Sequence, residues 1–253
     1  MYAEERQQAI ADQARAAGRV DVAQLASDFG VTTETVRRDL TVLVRHGVLR
    51  RVHGGAIPVD RLGFEPALAD RDAAMSEEKE RIARAALQEL PDEGAILLDA
   101  GTTTARLAEI LPADVRLTVV TNALPIAMTL ASRPNLEVLS VGGRVRGRTA
   151  AMVDAWALRV LEEIVIDVAF IGTNGLSTER GLTTPDTAEA AVKRAMIGCA
   201  RHVAVLADHT KVGRDHFARF GDLADVDVLF SDDGLDLADA VHLETAGLKV
   251  IRA

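Results

Sequence analysis

A single cysteine, Cys199, stands in 253 residues. No disulfide can form within the chain, which fits a reducing compartment. Aromatic residues make up only 3%, so Leu, Val, Ile and Ala must fill any core; at 48% hydrophobic residues there is enough apolar material to do so. No apolar run reaches membrane-spanning length, and the charged stretch from Met1 to Ile10 lacks the apolar centre of a signal peptide. Metal-site spacing is missing too. His202, His209 and His216 recur every seven residues across a strand and a loop, with no Cys or carboxylate beside them at ligand spacing. These absences lead to the expectation of a cytoplasmic protein without metal, cofactor or membrane partner.

Positive charge is also in short supply, since the net charge is −9. Its distribution matters more than its sum. Residues 1–60 carry 8 Arg against 8 Asp and Glu, so the acidic excess lies entirely beyond them. Arg37, Arg38, Arg45, Arg50 and Arg51 fall within fifteen residues. DNA affinity requires a local cationic surface rather than a basic chain.

Those first residues read as three helices. The first runs from about Ala3 to Ala16 and stops at Gly18. Asp21 caps a second, with Val22, Leu25, Ala26 and Phe29 at helical spacing, and Gly30 ends it. Thr32 or Thr33 caps a third, whose apolar face is Val36, Leu40, Leu43 and Val44. Two short helices joined by Gly-Val-Thr form a helix-turn-helix. Threonines at the start of the third helix and two arginines one turn later suit contact with base edges and phosphates. An apolar and basic strand, Val48 to Val52, runs into His53-Gly54-Gly55 and suggests a β-wing from which Arg50, Arg51 and His53 touch the DNA backbone.

The stretch VTTETVRRDLTVLVRHGVLRRVHGGA, Val31 to Ala56, resembles the N-terminal signature of the DeoR family of bacterial repressors, and the resemblance extends from about Glu4 to Asp232. By that resemblance Thr33, Thr35, Arg37 and Arg38 belong to the DNA-reading helix. It also implies a double-stranded operator as partner and a homo-oligomer of two or more copies. Winged helix-turn-helix, linker and effector domain are placed at 1–57, 58–75 and 76–253, because Pro58, Gly63 and Pro66 break the periodicity between them and Ser76-Glu77-Glu78-Lys79 reads as a helix start. Glu65, Arg71 and Lys79 recur in the family as well and are read as packing or ion pairs between linker and core.

Beyond residue 95, Val/Ile/Leu runs alternate with helical segments. This pattern gives an α/β domain with a mainly parallel sheet buried on both faces. Ligands of such sheets sit beyond the carboxyl ends of the strands. The segments there are Asp99–Thr104, Thr121-Asn122, Gly142–Arg144, Gly172–Gly175 and Asp208–Lys211, all rich in small, hydroxyl or amide side chains. The first opens a helix, where free N–H groups favour an anion. These loops resemble those of the DeoR effector domain, which is similar in fold to ribose-5-phosphate isomerase, and the resemblance implies a phosphorylated sugar. Gly101, Thr102, Thr103, Thr104 and Lys211 would hold the phosphate; Asn122, Gly142, Gly143, Asn174 and Asp208 would line the sugar. Asp154 stands near a place where the family often has glycine.

The expected function is therefore a repressor of sugar-metabolism genes relieved by a phosphorylated sugar. The alternative is a sugar-phosphate isomerase, which needs a positioned carboxylate base. Gly172–Gly175 offers none, and Glu189 and Lys193 read as a solvated i,i+4 pair. A domain that only assembles subunits is the third possibility. Trp156 is read as a core or subunit-contact residue and Cys199 as buried and inert.

Overall fold

The computed structural model describes residues 2–17, 19–52, 54–58 and 65–253, and the backbone alone at Arg15, Ala16, Arg50 and Ile57. Gly18, His53, Gly63 and the side chain of Arg50, all invoked above, lie outside this description. The chain divides into two compact units, Met1–Phe64 and Glu65–Ala253. The second unit thus begins inside the stretch read as linker.

In the first unit, α1 (Ala3–Ala17) begins with Glu4 and Glu5, whose charge complements the helix dipole. The two-residue strand β1 (Val20–Asp21) was not expected; it leads into α2 (Val22–Asp28), capped by Asp21, whose carboxylate accepts from Ala23 N at 2.8 Å. Gly30 turns the chain at φ +61°, and Thr32 caps α3 (Thr33–Arg45) by accepting from Thr35 N. β2 (Leu49–Val52) and β3 (Gly55–Pro58) form the antiparallel wing, and β1 pairs with β3. A Cβ at Gly55 would stand 1.9 Å from Val20 O, so this close strand approach requires glycine. Ile10, Ala14, Leu25, Val36, Leu40, Leu49 and Ala56 meet in a small core.

The second unit opens with α4 (Leu68–Ala73) and α5 (Ser76–Ala86). The capping position of α5 falls on Met75, at φ +54° and without a side-chain cap, so Ser76 lies inside the helix rather than capping it. The chain then alternates: β4 (Glu93–Leu98), α6 (Thr102–Glu109), β5 (Arg116–Thr121), α7 (Leu124–Leu130) and β6 (Leu136–Ser140). A short antiparallel pair follows, β7 (Arg144–Val145) with β8 (Met152–Val153), and then α8 (Ala155–Glu162). After β9 (Ile166–Gly172), the strands β10 (Gly175–Ser177) and β11 (Gly181–Thr184) form a hairpin. α9 (Thr187–Gly198), β12 (Ala200–Leu206), β13 (Ala218–Gly221), β14 (Val228–Ser231), α10 (Leu237–Thr245) and β15 (Lys249–Arg252) complete the unit.

Seven strands form one sheet in the order β15-β14-β12-β9-β4-β5-β6, every pairing parallel. Ile96, Leu97 and Leu98 on β4 are fully buried, as are Ala169, Phe170 and Ile171 on β9. This is the mixed α/β architecture expected, and "mainly parallel" is accounted for by β13, which pairs antiparallel with the β10-β11 hairpin, and by the β7-β8 pair. The strand order runs in opposite senses on either side of β4 and β9. Loops leaving their carboxyl ends therefore diverge and open a crevice there.

Candidate functional site

Helix α3 buries Val36, Leu40 and Leu43 and leaves Thr33, Arg37 and Arg38 exposed. Among the described residues the Arg37 guanidinium pairs with Glu34 at 3.6 Å, exposed to solvent, a contact weak enough to yield to a phosphate. Thr35 Oγ1 lies 2.9 Å from Thr32 Oγ1 within the cap, so its hydroxyl shapes the helix start. Arg51 reaches across from the wing, donating to Thr41 Oγ1 at 3.3 Å and to Arg37 O at 3.5 Å. A hollow of about 360 Å³ between helix and wing is lined by Thr33, Arg37 and Arg51. Asp39, adjacent in sequence to these arginines, plays no part in that surface. It is buried and binds Arg6 Nε at 2.6 Å and Gln7 Nε2 at 2.9 Å, fastening α1 to α3.

In the second unit, the sequence-derived residues gather at the carboxyl edge of the sheet, though with unequal roles. Gly101 precedes α6 without any side-chain cap, so no side chain claims the N–H groups of the first helical turn. Thr104 is fully buried, and its hydroxyl donates to Asp99 O at 2.6 Å and Gly101 O at 3.0 Å. It braces the loop rather than facing a ligand, because its hydrogen is committed to backbone. Asn122 does the same from β5, its Oδ1 accepting from Ala100 N at 2.8 Å. Asn174 Oδ1 accepts from Thr184 Oγ1 at 3.0 Å. Gly142 and Gly143 have φ of +70° and +109°, and a Cβ at Gly143 would lie 2.4 Å from Val153 O, so close packing demands that glycine.

Asp208 is buried at the end of β12 and accepts from Thr210 N at 3.1 Å, with Lys211 Nζ 3.5 Å away. Burial opposes its ionisation, yet Lys211 and the Thr210 hydroxyl hold its carboxyl below the usual carboxylate range. Burial in turn pushes the Lys211 ammonium down. Lys211 lies in the turn that follows β12, and Gly101–Thr104 follow β4, with β9 between those two strands.

Between those two lies a cluster that sequence reasoning assigned to solvent. Glu189 and Lys193 are 4% and 3% exposed, not a solvated pair. Lys193 Nζ binds Asp99 Oδ2 and donates to Gly172 O at 2.9 Å, and it sits 5.4 Å from the Phe220 ring centre. Gly172 N also donates to Asp99 Oδ2, at 2.9 Å. Asp99 is fully buried, its Oδ1 has no hydrogen-bond partner among the described residues, and burial raises its carboxyl pKa against the pull of Lys193. Glu189 accepts from Thr149 Oγ1 at 2.5 Å and from Arg146. A signal for this was present: Glu189, Val192, Lys193 and Met196 recur at three- and four-residue spacing, on the face that α9 buries.

Glu65 and Lys79 are buried; Arg71 reaches Glu65 at 3.4 Å within the stretch read as linker, and the ion pair from that stretch to the core is Glu65 with Arg146 at 3.1 Å. Lys79 Nζ donates to the carbonyls of Arg71 and Ala74 at the end of α4, and burial lowers its pKa to about 8. Asp154 adopts φ +77°, a conformation that favours glycine, and its carboxylate accepts from Arg144 Nε at 2.6 Å. Trp156 is 79% exposed and so is not a core residue. Cys199 is half-buried, its thiol pKa raised by burial. Among the described residues, no group of His, Cys, Asp and Glu has metal-site geometry, and no helix is long and apolar enough to cross a membrane.

Two family models match the chain: a DeoR-like helix-turn-helix domain over residues 6–61 and a DeoR C-terminal sensor domain over residues 74–233. The HTH-type transcriptional regulator GlpR of Haloferax volcanii is 37% identical over 91% of this chain and 90% of its own. The glycerol-3-phosphate regulon repressor of Escherichia coli is 31% identical over 90% of both chains. Among solved structures, ribose 5-phosphate isomerase A of Methanocaldococcus jannaschii matches 55% of either chain with a TM-score of 0.41 and 16% identity. The full-length relatives are named as regulators and repressors, which favours DNA binding over the isomerase alternative.

Proposed function

The chain belongs to the DeoR family of DNA-binding transcriptional regulators, and from that premise we propose that it represses sugar-metabolism genes until a phosphorylated sugar binds the carboxyl edge of its second unit. The observation that carries the reading is the Gly101–Thr103 loop. It opens α6 at the end of a central strand with no side-chain cap. Helix N–H groups and the helix dipole there favour a dianion. Thr102 and Thr103 add hydroxyls, and Lys211 faces the same ligand from the turn after β12. The glycerol-3-phosphate regulon repressor is a relative, so glycerol 3-phosphate is the first ligand to try, with fructose 1-phosphate and glucose 6-phosphate as larger phosphorylated probes.

A ligand at 100 times its Kd raises stability by about 2.7 kcal/mol, readable as a thermal shift. The phosphorylated compound should produce it and its unphosphorylated parent should not. Thr103→Val removes one hydroxyl at nearly constant volume, and Lys211→Ala removes the cation. Each is expected to weaken ligand binding about tenfold, roughly the worth of one hydrogen bond to a charged group, while free-state DNA binding stays near wild type. Calorimetry and DNA titration on the same variants separate the two effects. Equal binding of the neutral sugar would move the phosphate elsewhere.

Helix-turn-helix proteins commonly bind paired half-sites as dimers, so the working form is a homo-oligomer on a double-stranded operator. Trp156 and Val160 present apolar surface on α8, 79% and 39% exposed, and we assign that face to a second copy. Trp156→Glu is expected to lower the mass measured by light scattering, and an unchanged mass would free α8 from this role.

A further inference from the structure

We propose that Arg146 links the effector site to the DNA-binding unit by way of Glu65; this rests on the reading that the carboxyl edge takes a phosphorylated ligand. Glu65 is the first residue of the second unit, and residues 59–64 join it to the wing. Its side chain is 2% exposed. Glu65 Oε2 accepts from Arg146 at 3.1 Å, Oε1 lies 3.4 Å from Arg71, and the backbone carbonyl accepts from Arg148. The end of the segment leading to the DNA-binding unit is thus held by three arginines.

Arg146 is simultaneously part of the effector edge. Its guanidinium also engages Glu189, lies 3.4 Å from Thr149 Oγ1 and faces Asp186 at 3.3 Å. Thr149 lines a groove of about 440 Å³ together with Gly101 and Thr102. Thr149 thus shares a groove wall with the anion loop, and its neighbour Arg146 reaches Glu65. Three carboxylates converge on this one guanidinium, and burial together with the nearby Glu189 raises the Glu65 carboxyl above its ordinary pKa.

A dianion arriving beside Thr102 and Thr149 is a fourth negative group drawn to Arg146. A buried carboxylate that loses its cation is unstable in place, and of the three carboxylates Glu65 is the one at the start of the second unit, next to the segment that leads to the DNA-binding unit. Glu65 seated favours one state and Glu65 released the other, which gives the ligand the differential contacts that any shift requires. Contiguity alone does not establish coupling, so the test measures coupling itself.

The full-length chain selects its own operator from random DNA, and glycerol 3-phosphate, fructose 1-phosphate and glucose 6-phosphate serve as ligand probes. In wild type, the active probe should weaken DNA binding by about 5–150-fold, the usual range of allosteric coupling. Glu65→Gln keeps the shape and removes the charge. It should bind that probe nearly as wild type does, yet lose most of the shift in DNA affinity. Arg146→Lys keeps one charge but loses the planar fork that meets several carboxylates, and its shift should shrink as well. A wild-type shift in Glu65→Gln overturns the proposal. If no probe moves the wild-type protein, the ligand reading fails separately, and hydrogen exchange over residues 65–75 decides this one. Glu65→Gln should then accelerate exchange in that segment and alter DNA affinity; either of these unchanged overturns the coupling.

Discussion

Replacing Lys193 by alanine is expected to destabilise the second unit by about 3–5 kcal/mol, the cost of stranding a buried charge. The expected fall in Tm is about 10 °C or more. The side chain is 4% exposed and its Nζ holds Asp99, which is fully buried. Without that ammonium, Asp99 Oδ2 keeps one donor, the Gly172 amide at 2.9 Å, and Oδ1 keeps none among the described residues. The stranded carboxyl escapes by taking a proton. Burial already raises its pKa above 3.8, and loss of Lys193 raises it further. The folded variant then binds a proton that the unfolded chain releases above pH 3.8, so its stability falls as pH rises. The penalty should therefore be smaller at pH 5 than at pH 8. Asp99→Asn with Lys193→Met removes both charges and should recover much of the loss, because a buried pair and a neutral replacement are often close in stability. Urea titrations of the three proteins at two pH values test this. Equal and pH-independent stability of Lys193→Ala and wild type would show that the pair does not hold the crevice floor.

Most of the elements were legible because their signals are local. Asp21 and Thr32 cap α2 and α3 as their positions suggest, and Gly30 supplies the positive φ between them. The central strands β4, β9 and β14 announce themselves as apolar runs, since both faces are covered, whereas the edge strands β6 and β15 carry charged, exposed positions. Elements with mixed signals were missed. Helix α8 exposes Trp156 and part of Val160, so its largest apolar side chain does not mark its buried face. Strands β10 and β11 are three and four residues long, too short to show alternation. The candidate site was legible as a set of loops but not as a network. The pairings that were missed join distant positions: Asp99 with Lys193, Arg146 with Glu189 and Glu65, Arg106 with Asp72 at 2.9 Å. A charged residue on a helix face is usually solvated, and that prior misplaced Glu189 and Lys193. It also hid Asp39, which sits among exposed arginines but turns inward to Arg6.

Arg37→Ala with Arg38→Ala is expected to remove most specific DNA affinity while leaving the first unit folded. Both arginines lie on the exposed side of α3, opposite Val36 and Leu40. Arg37 is 56% exposed, and its only ion pair among the described residues is Glu34 at 3.6 Å, an i,i+3 contact worth a few tenths of a kcal/mol at most. Little folding stability is therefore at stake. On DNA the balance reverses. A lost bidentate base contact costs about 1–3 kcal/mol, so two such losses amount to a factor between about thirty and about twenty thousand. A lost phosphate contact instead weakens all sequences alike and lowers the salt slope by about one. Titrations at two salt concentrations on selected and scrambled DNA tell these roles apart for each single variant. Arg51→Ala is a useful intermediate case. Its guanidinium binds Thr41 and the Arg37 carbonyl, so it positions the wing against the reading helix and should cost less than either helix arginine. Arg6→Ala is the opposite control. It strands the buried Asp39, so it should lower the Tm of the first unit and lose DNA binding through unfolding. Circular dichroism separates that outcome from the surface effect. Wild-type affinity in the Arg37→Ala, Arg38→Ala double variant would move the interface away from α3 altogether.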